Sequence, residues 1–186
     1  MSAQIHVDTL DDLRRVRGKA ELIAGRIVPL MPTGFLPGRV GGRIYQGLDA
    51  HAAAIGRGVA LPDNVGFAVP TLSSGRQSFA PDASYYDGPL PADLSDFIAG
   101  PPTLAVEVRS KGDVGPAAEA DLAAKRADYF EAGTLVVWDV DPVDRLIHSY
   151  RRDDPDHPST FGPGQVADAE PAVPGWQVPV DWIFSS

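Results

Sequence analysis

The stretch PTLAVEVRSKGD, residues 102–113, sets a carboxylate inside an apolar run and cationic and polar groups directly after it. Leu104, Ala105, Val106 and Val108 read as a buried strand. A carboxylate there is costly to bury unless a cation or hydrogen bonds compensate it. The fold must either turn Glu107 to solvent, on the face it shares with Ala105 and Arg109, or bring a positive partner to it. The next segment offers such a partner. PAAEADLAAKRADYFEAG reads as a helix over 116–133, with Pro116 suited to its first turn and Gly133 to its stop. Leu122, Lys125 and Tyr129 share one helix face, so Lys125 meets the sheet if the other two do. Asp121, four residues before Lys125, competes as its partner.

Further elements flank this core. TLVVWDV and RLIHSYRR read as a hairpin across Asp141, Pro142, Val143 and Asp144. Thr9–Val16 reads as a short helix capped by Asp8 or Thr9. AELIAGRIVPLMP reads as a hairpin turning at Ala24-Gly25. Val40, Ile44, Leu48 and Ile55 lie at helical spacing in a second helix over 37–55, where Gly41 and Gly42 either weaken it or admit a close neighbour. GRGVALPDNVGFAVP and RQSFAPDASYYDG read as extended, LPADLSDFIAGPP as a loop or single turn, and 153–174 as irregular. PGWQVPVDWIF returns as a strand and a turn. The order of elements predicts an α/β (α+β) fold around a central sheet. With 186 residues, one domain over 1–186 is expected.

The absence of cysteine excludes disulfides and thiolate zinc sites. MSAQIHVDTLDDLRR has no apolar core of a secretion leader, and no apolar run approaches the ~20 residues that span a bilayer. A soluble, cytoplasmic protein without membrane partners is expected. The net charge of −9 gives no general attraction for nucleic acid, so any such site needs a local basic patch or a bound metal.

Asp82, in FAPDASYY, leads into an aromatic strand. If that strand pairs with 104–108, Asp82 and Glu107 converge on one cation. A lysine beside two carboxylates orients water or stabilises charge developing on a phosphate. Each residue also has a plainer reading: Pro-Asp as a turn, Glu107 as the solvent face of a strand, Lys125 as an exposed helix position.

ELIAGRIVPLMP, APDASYYD, LAVEVRS and DLAAKRADYFEAGTLVVWDVDP, in that order, resemble the motifs of the Uma family of restriction-endonuclease-like proteins, within the PD-(D/E)XK nuclease superfamily. The resemblance covers most of the chain. It implies a mixed sheet flanked by helices, and Asp82, Glu107 and the Val108 carbonyl as ligands of Mg²⁺ or Mn²⁺. It also implies Lys125 in place of the usual catalytic lysine, with Glu21 completing the site. Ser110, Tyr129 and Trp138 match family positions; Tyr129 and Trp138 are expected to be packing residues. Arg109 stands where the E-x-K motif has Lys and cannot shuttle protons. Lys111 stands where Pro is common, and the second helix lacks a His that commonly begins it.

The resemblance, with these residues, implies a metal-dependent endonuclease acting on DNA. Arg43, Arg109 and Lys111, with Arg39 and Arg57, are candidate phosphate contacts. The rivals are a catalytically inactive binding or assembly module and a phosphoesterase for small nucleotides. A homodimer is expected on the general frequency of two-fold assemblies.

Overall fold

The structure is a computed structural model that describes residues 7–185, so the first six residues read for a leader and the last residue of the expected domain lie outside it. Thr9 caps the single-turn helix α1 (Leu10–Leu13), its hydroxyl accepting from the Asp12 amide while the Asp12 carboxylate accepts from the Thr9 amide. The helix stops short of the expected Val16 because the Arg15 and Val16 amides close tighter turns onto Asp12 and Leu13. Strands β1 (Ala20–Ile23) and β2 (Arg26–Pro29) form the expected hairpin. Ala24 and Gly25 both have positive φ, 48° and 68°, the turn geometry whose twist suits a two-residue hairpin.

Helix α2 (Phe35–Ile55) buries Val40, Ile44, Leu48 and Ala52 and ends at Gly56 in the left-handed conformation. Strands β3 (Val59–Pro62), β4 (Phe67–Ala68), β5 (Ser78–Phe79), β6 (Ala83–Tyr86), β7 (Ile98–Ala99) and β8 (Leu104–Val108) follow. Helix α3 (Pro116–Ala132) starts on proline and stops at Gly133 as expected. The chain closes with β9 (Val136–Asp141), β10 (Leu146–Arg151), β11 (Asp154–Phe161), β12 (Val166–Asp168), β13 (Gln177–Pro179) and the turn of helix α4 (Val180–Ile183).

The main sheet is mixed and six-stranded, in the order β11-β10-β9-β8-β6-β3. β8 and β9 are parallel, joined by α3 as the crossover, and the other neighbours are antiparallel. Side chains alternate along β8. Leu104, Val106 and Val108 pack toward α2 with Val40, Ile44 and Leu48, while Ala105 joins Tyr129, Phe79 and Val137 on the α3 side. Glu107 follows Ala105's parity and so faces α3. Each fully buried Ile or Leu of α2 contributes about 1.5–3 kcal/mol, which helps hold a helix that carries four glycines. The close neighbour allowed for at Gly41 and Gly42 is not required by either: a Cβ at Gly41 would meet the Asp82 carbonyl oxygen at 3.5 Å, an ordinary contact, and one at Gly42 would meet nothing within 4 Å.

The expectation of irregular chain over 153–174 is corrected. β11 and β12 lie within it, and β11 pairs with β10 through Ile147↔Phe161 and Ser149↔Ser159. Pro155 and Pro158 argue against a central strand, but β11 is an edge, where missing N–H groups go unnoticed. The expected loop at 90–102 also holds β7, two residues paired in parallel with β4. Trp176 is buried and stacks on Trp138 at 5.2 Å, so this C-terminal aromatic closes the core. Among the described residues no helix is long and apolar enough to cross a membrane.

Candidate active site

Strand register builds the site. β6 pairs with β8 through Ala83↔Val106, and one step outward lie Asp82 and Glu107. The Asp82 amide donates to the Val106 carbonyl at 3.0 Å. The Asp82 carboxylate accepts from the Val108 amide at 2.8 Å, which pins it to the strand carrying Glu107. The neighbouring pairs extend the same row. β3 pairs with β6 through Pro62↔Ala83, with Asp63 one step beyond, and β8 pairs with β9 directly through Glu107↔Asp139. Four strands thus bring Asp63, Asp82, Glu107 and Asp139 to one level of the sheet. Like charges directly across strands repel, and each member of this row has a cation: Lys19 between Asp63 and Asp82, Lys125 at Glu107, and Arg109 and Arg126 at Asp139.

Lys125 is the central one. Its ammonium lies 2.9 Å from Glu107 Oε1 and 3.1 Å from Glu21 Oε1. These, not Asp121, are its ion-pair partners. Tyr129, one helical turn on, donates its hydroxyl to Glu107 Oε1 at 2.6 Å. Glu21, on β1 with its side chain only 3% exposed, also accepts from the Ala80 amide at 3.1 Å and pairs with Arg76. Arg76 continues to Asp128 at 2.8 Å and lies 5.2 Å from the Phe79 ring centroid. At the other end, Lys19 Nζ sits 2.6 Å from Asp82 and 2.7 Å from Asp63.

The charges set the protonation states. Burial raises the Glu107 carboxyl above its usual range, and Asp82 and Glu21 push the same way against the pull of Lys125. Burial also opposes ionisation of Glu21, but Lys125 and Arg76 outweigh it and hold that carboxyl below its usual range. Burial disfavours the Lys125 ammonium, yet Glu107 and Glu21 prevail and raise its pKa, so it is a cation at neutral pH. Burial and then Glu107 raise the Tyr129 phenol, which remains a donor.

The family model described as Uma2, putative restriction endonuclease, matches residues 7–181. The chain belongs to the Uma2 family. Among solved structures it is similar to a protein from Anabaena variabilis ATCC 29413 described as a putative nuclease belonging to DUF820. That likeness has 17% identity and a TM-score of 0.73, and covers 95% of this chain and 97% of that one. At this identity the likeness speaks for the fold. The search of curated proteins gave no match.

In this Uma2 chain the other candidates fall outside the central cluster. Arg109 binds Asp139 through two hydrogen bonds, at 2.7 and 2.8 Å, and its remaining guanidinium nitrogen pairs with Glu119. Arg126 also reaches Asp139, at 3.4 Å, and lies over the Tyr150 ring. Ser110 bonds Asp113 in the turn that carries exposed Lys111. Arg43 donates to Ser185 Oγ at 2.8 Å and stacks on Trp182. With Arg39 it lines an open groove of about 540 Å³ beside α2. Arg57 pairs with Asp87 away from the row. Trp138 is the packing residue expected, its indole N–H donating to Ser149 Oγ at 3.1 Å. Tyr129 is more than packing, since its hydroxyl holds Glu107. Lys19, Arg76 and Asp128 were not singled out from the sequence. Lys19 stands two residues before Glu21, Arg76 lies just outside the quoted motifs, and Asp128 sits inside the block DLAAKRADYFEAG without having been given a role there.

The residues fit a hard divalent cation of the kind the Uma2 resemblance implies. Among the described residues no group of three acidic or histidine side chains forms a closed cage. Mg²⁺ needs only one or two carboxylates and keeps its waters, and Asp82 and Glu107 would supply two. The cluster from Asp63 to Asp128 holds five carboxylates (Asp63, Asp82, Glu107, Glu21, Asp128) against three cations (Lys19, Lys125, Arg76), a surplus of two negative charges. A divalent ion would neutralise that surplus.

Proposed function

We propose that this protein is a metal-dependent endonuclease that hydrolyses phosphodiester bonds in DNA. The observation that carries the reading is the meeting of Asp82 and Glu107 on paired strands, with the Lys125 ammonium 2.9 Å from Glu107. Asp82 and Glu107, with the Val108 carbonyl, would hold Mg²⁺ or Mn²⁺, which when bound polarises the scissile phosphate and acidifies a bound water. The remaining chemistry belongs to the chain. Tyr129 and Lys125 orient Glu107. Glu21, itself held by Arg76 and the Ala80 amide, orients Lys125. An ammonium has three donors; two are directed at Glu21 and Glu107, which leaves one for the attacking water or a phosphate oxygen. As a permanent cation, Lys125 acts by position and charge rather than as a base. Phosphates would be met by Lys111 and by Arg43 in the α2 groove, while Arg109 is engaged with acidic neighbours.

The test is plasmid nicking in Mg²⁺, Mn²⁺ or EDTA by wild type, Glu107→Ala and Asp82→Ala. The expected result is metal-dependent nicking that both substitutions reduce by at least 10²-fold. Cleavage that survives both substitutions refutes the site.

A further inference from the structure

We infer that Lys19 is a displaceable counter-ion of the metal site: its ammonium holds the Asp82 carboxylate until a divalent cation arrives, then moves wholly onto Asp63. The inference rests on the reading of Asp82 and Glu107 as metal ligands.

Both oxygens of Asp82 are engaged. Oδ2 accepts from the Val108 amide, and Oδ1 lies 2.6 Å from Lys19 Nζ. The first contact is backbone and part of the strand register. The second is a side chain, and it is the one an incoming cation must share or displace. Lys19 is well placed to yield. Its backbone is fixed, because its carbonyl accepts from the Leu30 amide at 2.9 Å and extends the β1–β2 hairpin. Its side chain already bridges two carboxylates, with Asp63 at 2.7 Å. Asp63 is the more exposed of the two, 45% against 20% for Asp82, so the lysine can shift toward solvent without losing an ion pair. Lys125, by contrast, lies between Glu107 and Glu21, both more buried. The two lysines therefore have different tasks. Lys125 stays; Lys19 leaves.

Lys19 and Asp63 should then have opposite effects on metal affinity. Removing the lysine charge removes a competitor for Asp82. Removing the Asp63 charge leaves the lysine with Asp82 alone and strengthens the competition. A unit charge a few ångströms from a divalent ion, near the surface, alters binding on the order of tenfold.

The experiment is calorimetric titration of Mn²⁺ into the full chain as wild type, Lys19→Met, Asp63→Asn and Asp82→Asn, with far-ultraviolet circular dichroism confirming that each is folded. The expected result is a Kd about tenfold lower for Lys19→Met, severalfold higher for Asp63→Asn, and no binding for Asp82→Asn. If Lys19→Met binds Mn²⁺ no better than wild type while Asp82→Asn abolishes binding, the counter-ion role is refuted and the metal site stands. If Lys19→Met does not fold, Asp63→Asn decides: unchanged or tighter binding overturns the inference. If no form binds Mn²⁺, the metal site and the inference fall together.

Discussion

Arg76→Met tests whether the buried ion network stabilises the fold. Arg76 lies between Glu21 and Asp128, with side-chain exposures of 9%, 3% and 10%. Glu21 survives the substitution with Lys125 at 3.1 Å and the Ala80 amide at 3.1 Å. Asp128 has no such reserve, since Arg76 is its one ion-pair partner among the described residues. Removing one member of a buried pair costs about 3–5 kcal/mol, chiefly because the other charge is stranded. The stacking of Arg76 on Phe79 adds about 0.5–1 kcal/mol, while Asp128, at the margin of the core, recovers some hydration. The expected net loss is about 3 kcal/mol, read as a lower urea midpoint at unchanged slope. The double variant Arg76→Met/Asp128→Asn strands no charge and should regain about 1–2 kcal/mol over the single one. A loss under about 1 kcal/mol for Arg76→Met, or a double variant no better than the sum of its parts, refutes the reasoning.

Unfolding followed against pH should show an acid limb set by Glu21. Its folded pKa is depressed, so its contribution is present above the unfolded value of about 4.3 and is lost as pH falls below it; Glu21→Gln should flatten that limb. Glu107, with a raised pKa, works in the opposite sense and costs stability as pH rises through its folded value, which a bound divalent cation would offset. Lys111→Ala should weaken DNA binding across sequences and lower the salt slope by about one, whereas Arg109→Met should leave that slope unchanged and destabilise the fold by leaving the buried Asp139 carboxylate, 2% exposed, with Arg126 at 3.4 Å as its remaining cation.

Periodic features were legible in the sequence. The proline start and glycine stop of α3, the face shared by Leu122, Lys125 and Tyr129, and the Ala24-Gly25 turn depend on local rules that each segment carries. Glu107 was legible as an anomaly, because a carboxylate in an apolar strand demands a partner. Its partner was only half legible: helix spacing placed Lys125 toward the sheet but did not separate Glu107 and Glu21 from Asp121. The acidic row across four strands depends on register, which no single strand encodes. Lys19, Arg76 and Asp128 act through contacts with residues 44 to 63 positions away in sequence. β11 was missed because its two prolines are breakers anywhere except where it lies.

Those prolines also bear on how copies of the chain can meet. A sheet edge with free amides invites another strand to extend it, which is the route to runaway polymers. Along β11, Pro155 and Pro158 offer no amide, and a register shift near Ser149–Arg151 bends the ladder beside them. The opposite edge, β3, is four residues long and also ends in proline. Both margins of the main sheet are thus blunted against cross-chain pairing. Extension of the main sheet by a second copy is thereby disfavoured at both margins, which guards the folded protein against a zipper that would grow without limit.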